Sequence, residues 1–285
     1  MPIFIDAHVH IHPDFSLKRF FSAALDNFSA AATKQGVHGN STYVLALTEG
    51  MDCDVFSRLQ QQAISPEDVS ARQSESDSLV FHKTAEDNSL IVQKGSQNIF
   101  LIAGRQLISK DNIELLSLFN PLKIKDRTRN LTELAQTVTD NGGLAVVPWG
   151  VGKWLGTRGK VVESLLTSAL EYPLSFGDNG NRPLLWPEPS LLKQAREAGV
   201  ILLSGSDPLP LASHVERPAS SGTFIHHENL SFQHPATSLK EILTTAMADN
   251  LALEPFGCRI GSFQFLRDQL RINLRKRMSR ITSTS

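Results

Sequence analysis

The chain opens with a short apolar run, Ile3-Phe4-Ile5, that ends in Asp6 and passes into alternating histidines, His8-Val9-His10-Ile11-His12. Such a run predicts a strand, and residues two apart on an extended chain share one side. Leu17–Lys34 then places Phe20, Phe21, Ala24, Leu25, Phe28 and Ala31 at helical spacing, and Gly36, Gly39 and Asn40 stop that helix. Thr42–Leu47 reads as a buried parallel strand leading into Thr48-Glu49-Gly50, with a short helix over 54–63. The polar residues 65–78 predict a loop. Short β runs follow at Leu79–Lys83, Ser89–Lys94 and 99–103, separated by Asp87-Asn88 and Gly95-Ser96, the pattern of a β-hairpin insertion. Gly104-Arg105-Gln106 continues it, and 113–118 reads as one more strand.

From residue 128 onward, strand, polar loop and helix recur. A helix over 128–141 closes on Gly142-Gly143, and strand 144–147 opens into a glycine-rich loop over 148–159. Helix 161–170, strand 173–176, helix 188–198 and strand 200–203 complete the series, which predicts a parallel α/β fold. Past Leu211 the chain is looser, with His214, His226, His227 and His234 scattered and fitting no metal-ligand spacing, then helices over 239–251 and 263–281. The last helix carries Phe263, Leu266, Leu270, Leu274 and Met278 on one face. Arg267, Arg271, Arg275, Lys276, Arg277 and Arg280 lie mostly on the other, read as a solvated face rather than a phosphate or membrane-surface site. At 285 residues and 41% hydrophobic, the chain is expected to form a single α/β-barrel-sized domain, with its core in 1–211 and a helical extension over 212–285.

Candidate chemistry gathers at the strand ends. His8 and His10 point two imidazoles at one place, which makes half of a divalent-metal site, with zinc, manganese or iron as the ion. Polar residues follow the later strands: Glu49, Arg105, Gln106, Trp149, Lys153, Arg158, Asp178, Asn179, Arg182 and Asp207. In a barrel these ends share one mouth, so the cations are candidates to hold a phosphate or carboxylate. The bland reading pairs Arg105, Arg158 and Arg182 with Asp178, Glu49 or Asp207 as a structural network.

Four segments resemble the motifs of the PHP (polymerase and histidinol phosphatase) family. They are Asp6-Ala7-His8-Val9-His10, Val44-Leu45-Ala46-Leu47-Thr48-Glu49-Gly50, Ile102-Ala103-Gly104-Arg105-Gln106 with Ile113-Glu114-Leu115-Leu116, and Leu202-Leu203-Ser204-Gly205-Ser206-Asp207. The resemblance implies a distorted (β/α)7 TIM-like barrel with a metal cluster at its mouth. Several of that family's ligands are replaced here: Gly50, Gln106, Pro148-Trp149 and Leu209 stand where it carries histidine or glutamate. What remains, His8, His10, Glu49 and Asp207, suffices for one divalent ion and not for three.

The expected function is a metal-dependent hydrolase, a phosphoesterase acting on a small anionic substrate. Asp207 and Asp178 would be its catalytic carboxylates, and Arg105, Gln106, Trp149, Lys153, Arg158, Asn179 and Arg182 its substrate contacts. The alternatives are a barrel that has lost its metal and only binds a ligand or partner, and amidohydrolase-like C–N hydrolysis. A net charge of −1 gives no global basic field, so nucleic acid is not expected as a partner. No apolar run approaches a membrane span, no secretory signal is visible, and Cys53 and Cys258 form no CxxC pair, so a cytoplasmic protein is expected.

Overall fold

The computed structural model describes residues 1–65, 78–168, 173–226, 230–249, 251 and 253–282. The expected loop over 65–78 falls almost wholly outside the described residues, as does His227.

Two sheets face each other. The first contains β1 (Ile3–Val9), β2 (Thr42–Leu47), β3 (Leu79–Lys83), β4 (Ser89–Lys94) and β5 (Gln97–Ile102). The second contains β6 (Gly104–Ile108), β7 (Glu114–Leu118), β8 (Leu144–Pro148), β9 (Leu174–Asn179) and β10 (Leu202–Gly205). Late in the chain, β11 (Ser221–Ile225) and β12 (Glu254–Gly257) return to the first sheet, whose strand order is β12-β11-β1-β2-β5-β4-β3. The sequence reading missed β11 and β12, so residues read as an extension supply the strand beside β1.

Alternation along the strands explains the layers. Ile3, Ile5, Val44, Ala46, Leu116, Leu118, Leu144 and Val146 point inward and share one apolar core between the sheets. Phe4 and Leu45, one residue out of phase, face α1 (Leu17–Lys34) through Phe20 and Phe28. Val147 and Phe176 face α3 (Leu131–Asp140), α4 (Thr157–Ser168) and α5 (Ser190–Glu197). Strands buried on both faces read as continuous apolar runs, which is why they were legible in the sequence. The amphipathic helix α6 (Pro235–Ala248) adds Leu239, Ile242 and Leu243 to the inner core.

The α/β class stands, and among the described residues the ladders form two sheets, with no closed ladder of the expected distorted (β/α)7 TIM-like barrel detected. β7 runs antiparallel to both β6 and β8. The cause is local, because β6 and β7 are joined by a tight turn through Asn112, at φ 56°, rather than by a crossover helix. The sheets meet at two edges. One is a backbone bridge between Glu49 and Arg105, and at the other Asp207 N–H donates to the His8 carbonyl at 2.8 Å while Ser206 N–H donates to Asp6. No helix of the described residues is long and apolar enough to cross a membrane.

Candidate metal centre

Three side chains converge where β1 and β10 meet. His8 Nε2 lies 3.1 Å from His10 Nε2, and Asp207 Oδ1 lies 3.6 Å and 3.5 Å from them. Donors about 2.0–2.1 Å from a tetrahedral zinc stand roughly 3.4 Å apart, so two imidazole nitrogens and a carboxylate oxygen fit one face of a divalent ion's coordination shell. Among the described residues this is the one group of three or more metal-ligating side chains this close together.

The backbone around the triad is built for that approach. A Cβ on Gly205 would sit 2.4 Å from both the Cβ and the backbone nitrogen of His8, so only glycine lets β10 come this near to β1. Two residues on, Asp207 adopts φ 45°, a left-handed conformation that a non-glycine residue holds only when its surroundings enforce it. They do so here. Asn179 Nδ2 donates to Asp207 Oδ2 at 2.6 Å, and Asn181 Nδ2 donates to the Asp207 carbonyl at 2.6 Å. Asn181 was not singled out in the sequence, although its spacing of two from Asn179 at a strand end was the available signal.

Beneath the triad, Asp6 is fully buried and ties three segments together. Its carboxylate accepts from Ser206 N–H at 2.9 Å, Ser206 Oγ–H, Ala219 N–H at 2.7 Å and His8 N–H at 3.2 Å. Burial pushes the Asp6 carboxyl up to about 6 against those donors. Burial also lowers His10 to about 3, with His8 adding to the shift, which keeps the imidazole neutral and able to ligate. For Asp207, burial works to raise the carboxyl, but the two imidazoles and the asparagine bonds win and hold it near 2. His12 does not join the triad, because its Nε2 bonds the Pro208 carbonyl at 2.7 Å.

The remaining expected site residues divide sharply. Glu49 lies outside the close group of His8, His10 and Asp207: its Oε1 accepts the N–H groups of Val55 and Phe56 at 2.6 and 3.1 Å, the open end of α2 (Val55–Gln62). Arg105 is 2% exposed and clamps the 50–54 turn, donating to the carbonyls of Gly50 (2.9 Å) and Cys53 (2.5 Å) and to Asp54 (3.3 Å). Asp178 and Arg182 form a two-pronged pair at 2.9 and 2.6 Å, away from the triad. Successive strand residues point to opposite sides, so with Asn179 turned toward Asp207, Asp178 faces the other way. Lys153 pairs with Glu114 at 3.3 Å, Arg158 donates to the Gly152 carbonyl at 2.7 Å, and Trp149 is buried against Trp186. Of the expected substrate contacts, Gln106 alone lines the cleft of about 480 Å³ in front of the triad, with His10, His12, Glu49, Asp52, Glu114 and Asp207. The expected cationic bowl is therefore replaced by an acidic one.

No protein-family model matches this chain, and no curated protein matches it. Among solved structures it is similar to PsfC from Pseudomonas syringae PB-5123, at 13% identity, 87% coverage of this chain, 97% of that chain and a TM-score of 0.50. It also aligns with the lesion-specific endonuclease PfuEndoQ from Pyrococcus furiosus at 14% identity, 86% and 56% coverage and a TM-score of 0.49, spanning little more than half of that protein. A two-domain protein from Bacteroides vulgatus ATCC 8482, containing a predicted PHP-like metal-dependent phosphoesterase, aligns at 15% identity, 94% and 68% coverage and a TM-score of 0.46. At such identities the likeness is one of fold.

One expectation is withdrawn in light of these alignments. Nucleic acid had been set aside as a partner in favour of a small anion alone. Yet the similar chains include Endonuclease Q, one structure of which holds a 27-mer duplex with an abasic lesion. Net charge averages over the surface, so a value of −1 does not by itself exclude a nucleic-acid partner.

Proposed function

We propose that this protein is a metal-dependent hydrolase of phosphoesters, with one divalent ion held by His8, His10 and Asp207. The observation that carries the reading is the convergence of His8 Nε2, His10 Nε2 and Asp207 Oδ1 within ligand distance of a common point. A divalent ion bound there supplies Lewis acidity and a water activated at neutral pH. The chain's own residues do the positioning. Asn179 and Asn181 fix the orientation of Asp207, Asp6 holds β1 against the Ser206 turn, and Gln106 and Glu114 face the open side of the cleft. Glu114 offers a carboxylate to orient or accept a proton, restrained by Lys153.

The test is metal content of the purified protein by mass spectrometry, alongside a His8→Ala/His10→Ala double variant. About one equivalent of zinc, manganese or iron in the wild type, lost in the variant, supports the reading. It also sets the metal for a phosphodiester and phosphomonoester screen. No metal after incubation with each ion defeats it. A second reading, a ligand-binding protein without turnover, draws on the Asp178–Arg182, Glu114–Lys153 and Arg105 contacts, which occupy groups an enzyme would turn toward its substrate. Metal bound stoichiometrically without turnover of any phosphoester would favour it.

A further inference from the structure

The C-terminal helix α7 (Ser262–Thr282) presents the face that the sequence pattern would have buried. Phe263, Leu266, Leu270 and Leu274 fall within an arc of about 80° on a helical projection, and each is 59–81% exposed. The side packed on the protein is the opposite one, where Asp268 is buried and Phe265 and Ile272 are half-buried. Asp268 Oδ2 meets His214 Nε2 at 3.0 Å, and this buried polar contact, not an apolar seam, sets the helix's rotation. The apolar row continues beyond the helix. The Leu184 N–H donates to the Ile260 carbonyl at 3.0 Å and Arg259 donates to the Trp186 carbonyl at 3.1 Å, which places Leu184 (55% exposed) and Leu185 (86% exposed) beside the lead into α7. Contiguous exposed rows of large apolar side chains mark interaction sites.

Charge selects the occupant. Residues 259–285 hold seven basic residues and one acidic residue, so the segment is +6 in a chain of −1, leaving −7 on the remainder. The single acid, Asp268, is 1% exposed and already bonded, so nothing acidic on the described part of α7 faces outward. Arg271 is exposed beside the leucines, and half-buried Arg267 borders them with its Nε donating to Asp268 Oδ1 at 3.4 Å. A second α7 laid against the first would bring like charges together. A nucleic acid would use the arginines but has no use for four large apolar side chains, since phosphate contacts are made by cations and polar groups. An anionic lipid surface uses both, taking the apolar row at the acyl boundary and the arginines at the headgroups.

We propose that α7, with Leu184 and Leu185, docks this protein on a membrane surface rich in anionic lipid. The helix is clamped to the wall of the cleft, because His214 Nδ1 accepts from Leu209 N–H at 3.0 Å and Arg275 donates to the Pro210 carbonyl. Docking therefore holds the cleft beside the lipid surface.

The test sediments the full chain with vesicles of phosphatidylcholine alone and of phosphatidylcholine mixed with phosphatidylglycerol. Binding is expected to the mixed vesicles only, weakened by salt. Both Leu266→Ser/Leu270→Ser and Arg267→Gln/Arg271→Gln should weaken it at least about tenfold, with unchanged circular dichroism and metal content. No binding to the mixed vesicles by a folded protein overturns the proposal. A concentration-dependent dimer abolished by the leucine variant, without vesicle binding, assigns the face to a second copy and also overturns it. DNA binding lost in the arginine variant but kept in the leucine variant, again without vesicle binding, overturns it in favour of nucleic acid.

Discussion

The Asp207 amide donates to the His8 carbonyl at 2.8 Å, and with the bonds from Ser206 to Asp6 it ties the end of the second sheet's last strand to the first strand of the other. It brings two residues 199 positions apart to a common ligand point. The approach depends on Gly205. Gly205→Ala forces a Cβ to within 2.4 Å of His8, so either the edge opens or the backbone strains. The expected cost is about 1–3 kcal/mol of stability together with loss of metal binding, measured by urea unfolding and metal titration of the same preparation. Wild-type metal affinity in that variant would show that the edge contact does not set the triad.

Asn179 holds the carboxylate oxygen of Asp207 that does not face the histidines. Outer hydrogen bonds of this kind typically govern metal affinity by about 10–100-fold. Asn179→Ala should weaken metal binding by that factor in competition with a chromogenic chelator. Asn179→Asp should weaken it as well, because a second buried carboxylate would face the first. An unchanged affinity in both would leave Asn179 a structural residue only.

Arg105 and Asp54 share an ion pair of 3.3 Å, yet their environments differ: Arg105 is 2% exposed and Asp54 46%. Arg105→Ala orphans the Gly50 and Cys53 carbonyls and the buried end of Glu49, and is expected to cost about 3–5 kcal/mol. Asp54→Ala removes an exposed partner and should cost under about 1 kcal/mol. Denaturant midpoints of the two variants check the asymmetry; equal losses would mean that the pair, not the carbonyl clamp, matters.

His214 is fully buried, and burial lowers its pKa despite the bond to Asp268, with Arg217 acting in the same direction. The folded state therefore binds fewer protons than the unfolded chain below the ordinary histidine value near 6.5. Stability rises with pH through this window and is lost as pH falls from about 6.5 toward the folded-state value. His10 and His12, also lowered mainly by burial, add the same sign. Unfolding free energies between about pH 5 and pH 8 should fall toward acid, and His214→Gln should flatten that slope by one histidine's share. A slope unchanged in the variant would place the proton uptake elsewhere.

What the sequence determined by itself was local. The apolar runs of β1, β2 and β8 and the 3.6-residue period of α1 and α3 announce themselves, because strands buried on both faces and helices with one buried face leave periods that need no partner to be read. His8 and His10 were legible as a pair for the same reason, being two apart on one strand. Tertiary structure decided everything that depends on which edge meets which. It put Asp207 beside the histidines through a glycine contact, and it turned Asp178 away from the triad and Asn179 toward it. It also spent Glu49 and Arg105 on the backbone of a neighbouring turn. β11 was hidden because its Ser-Gly-Thr opening, Ser221-Gly222-Thr223, is polar and small where it packs against Ile5. The rotation of α7 was hidden as well, since one buried Asp268–His214 bond outweighed an apolar stripe that periodicity alone would have placed inside.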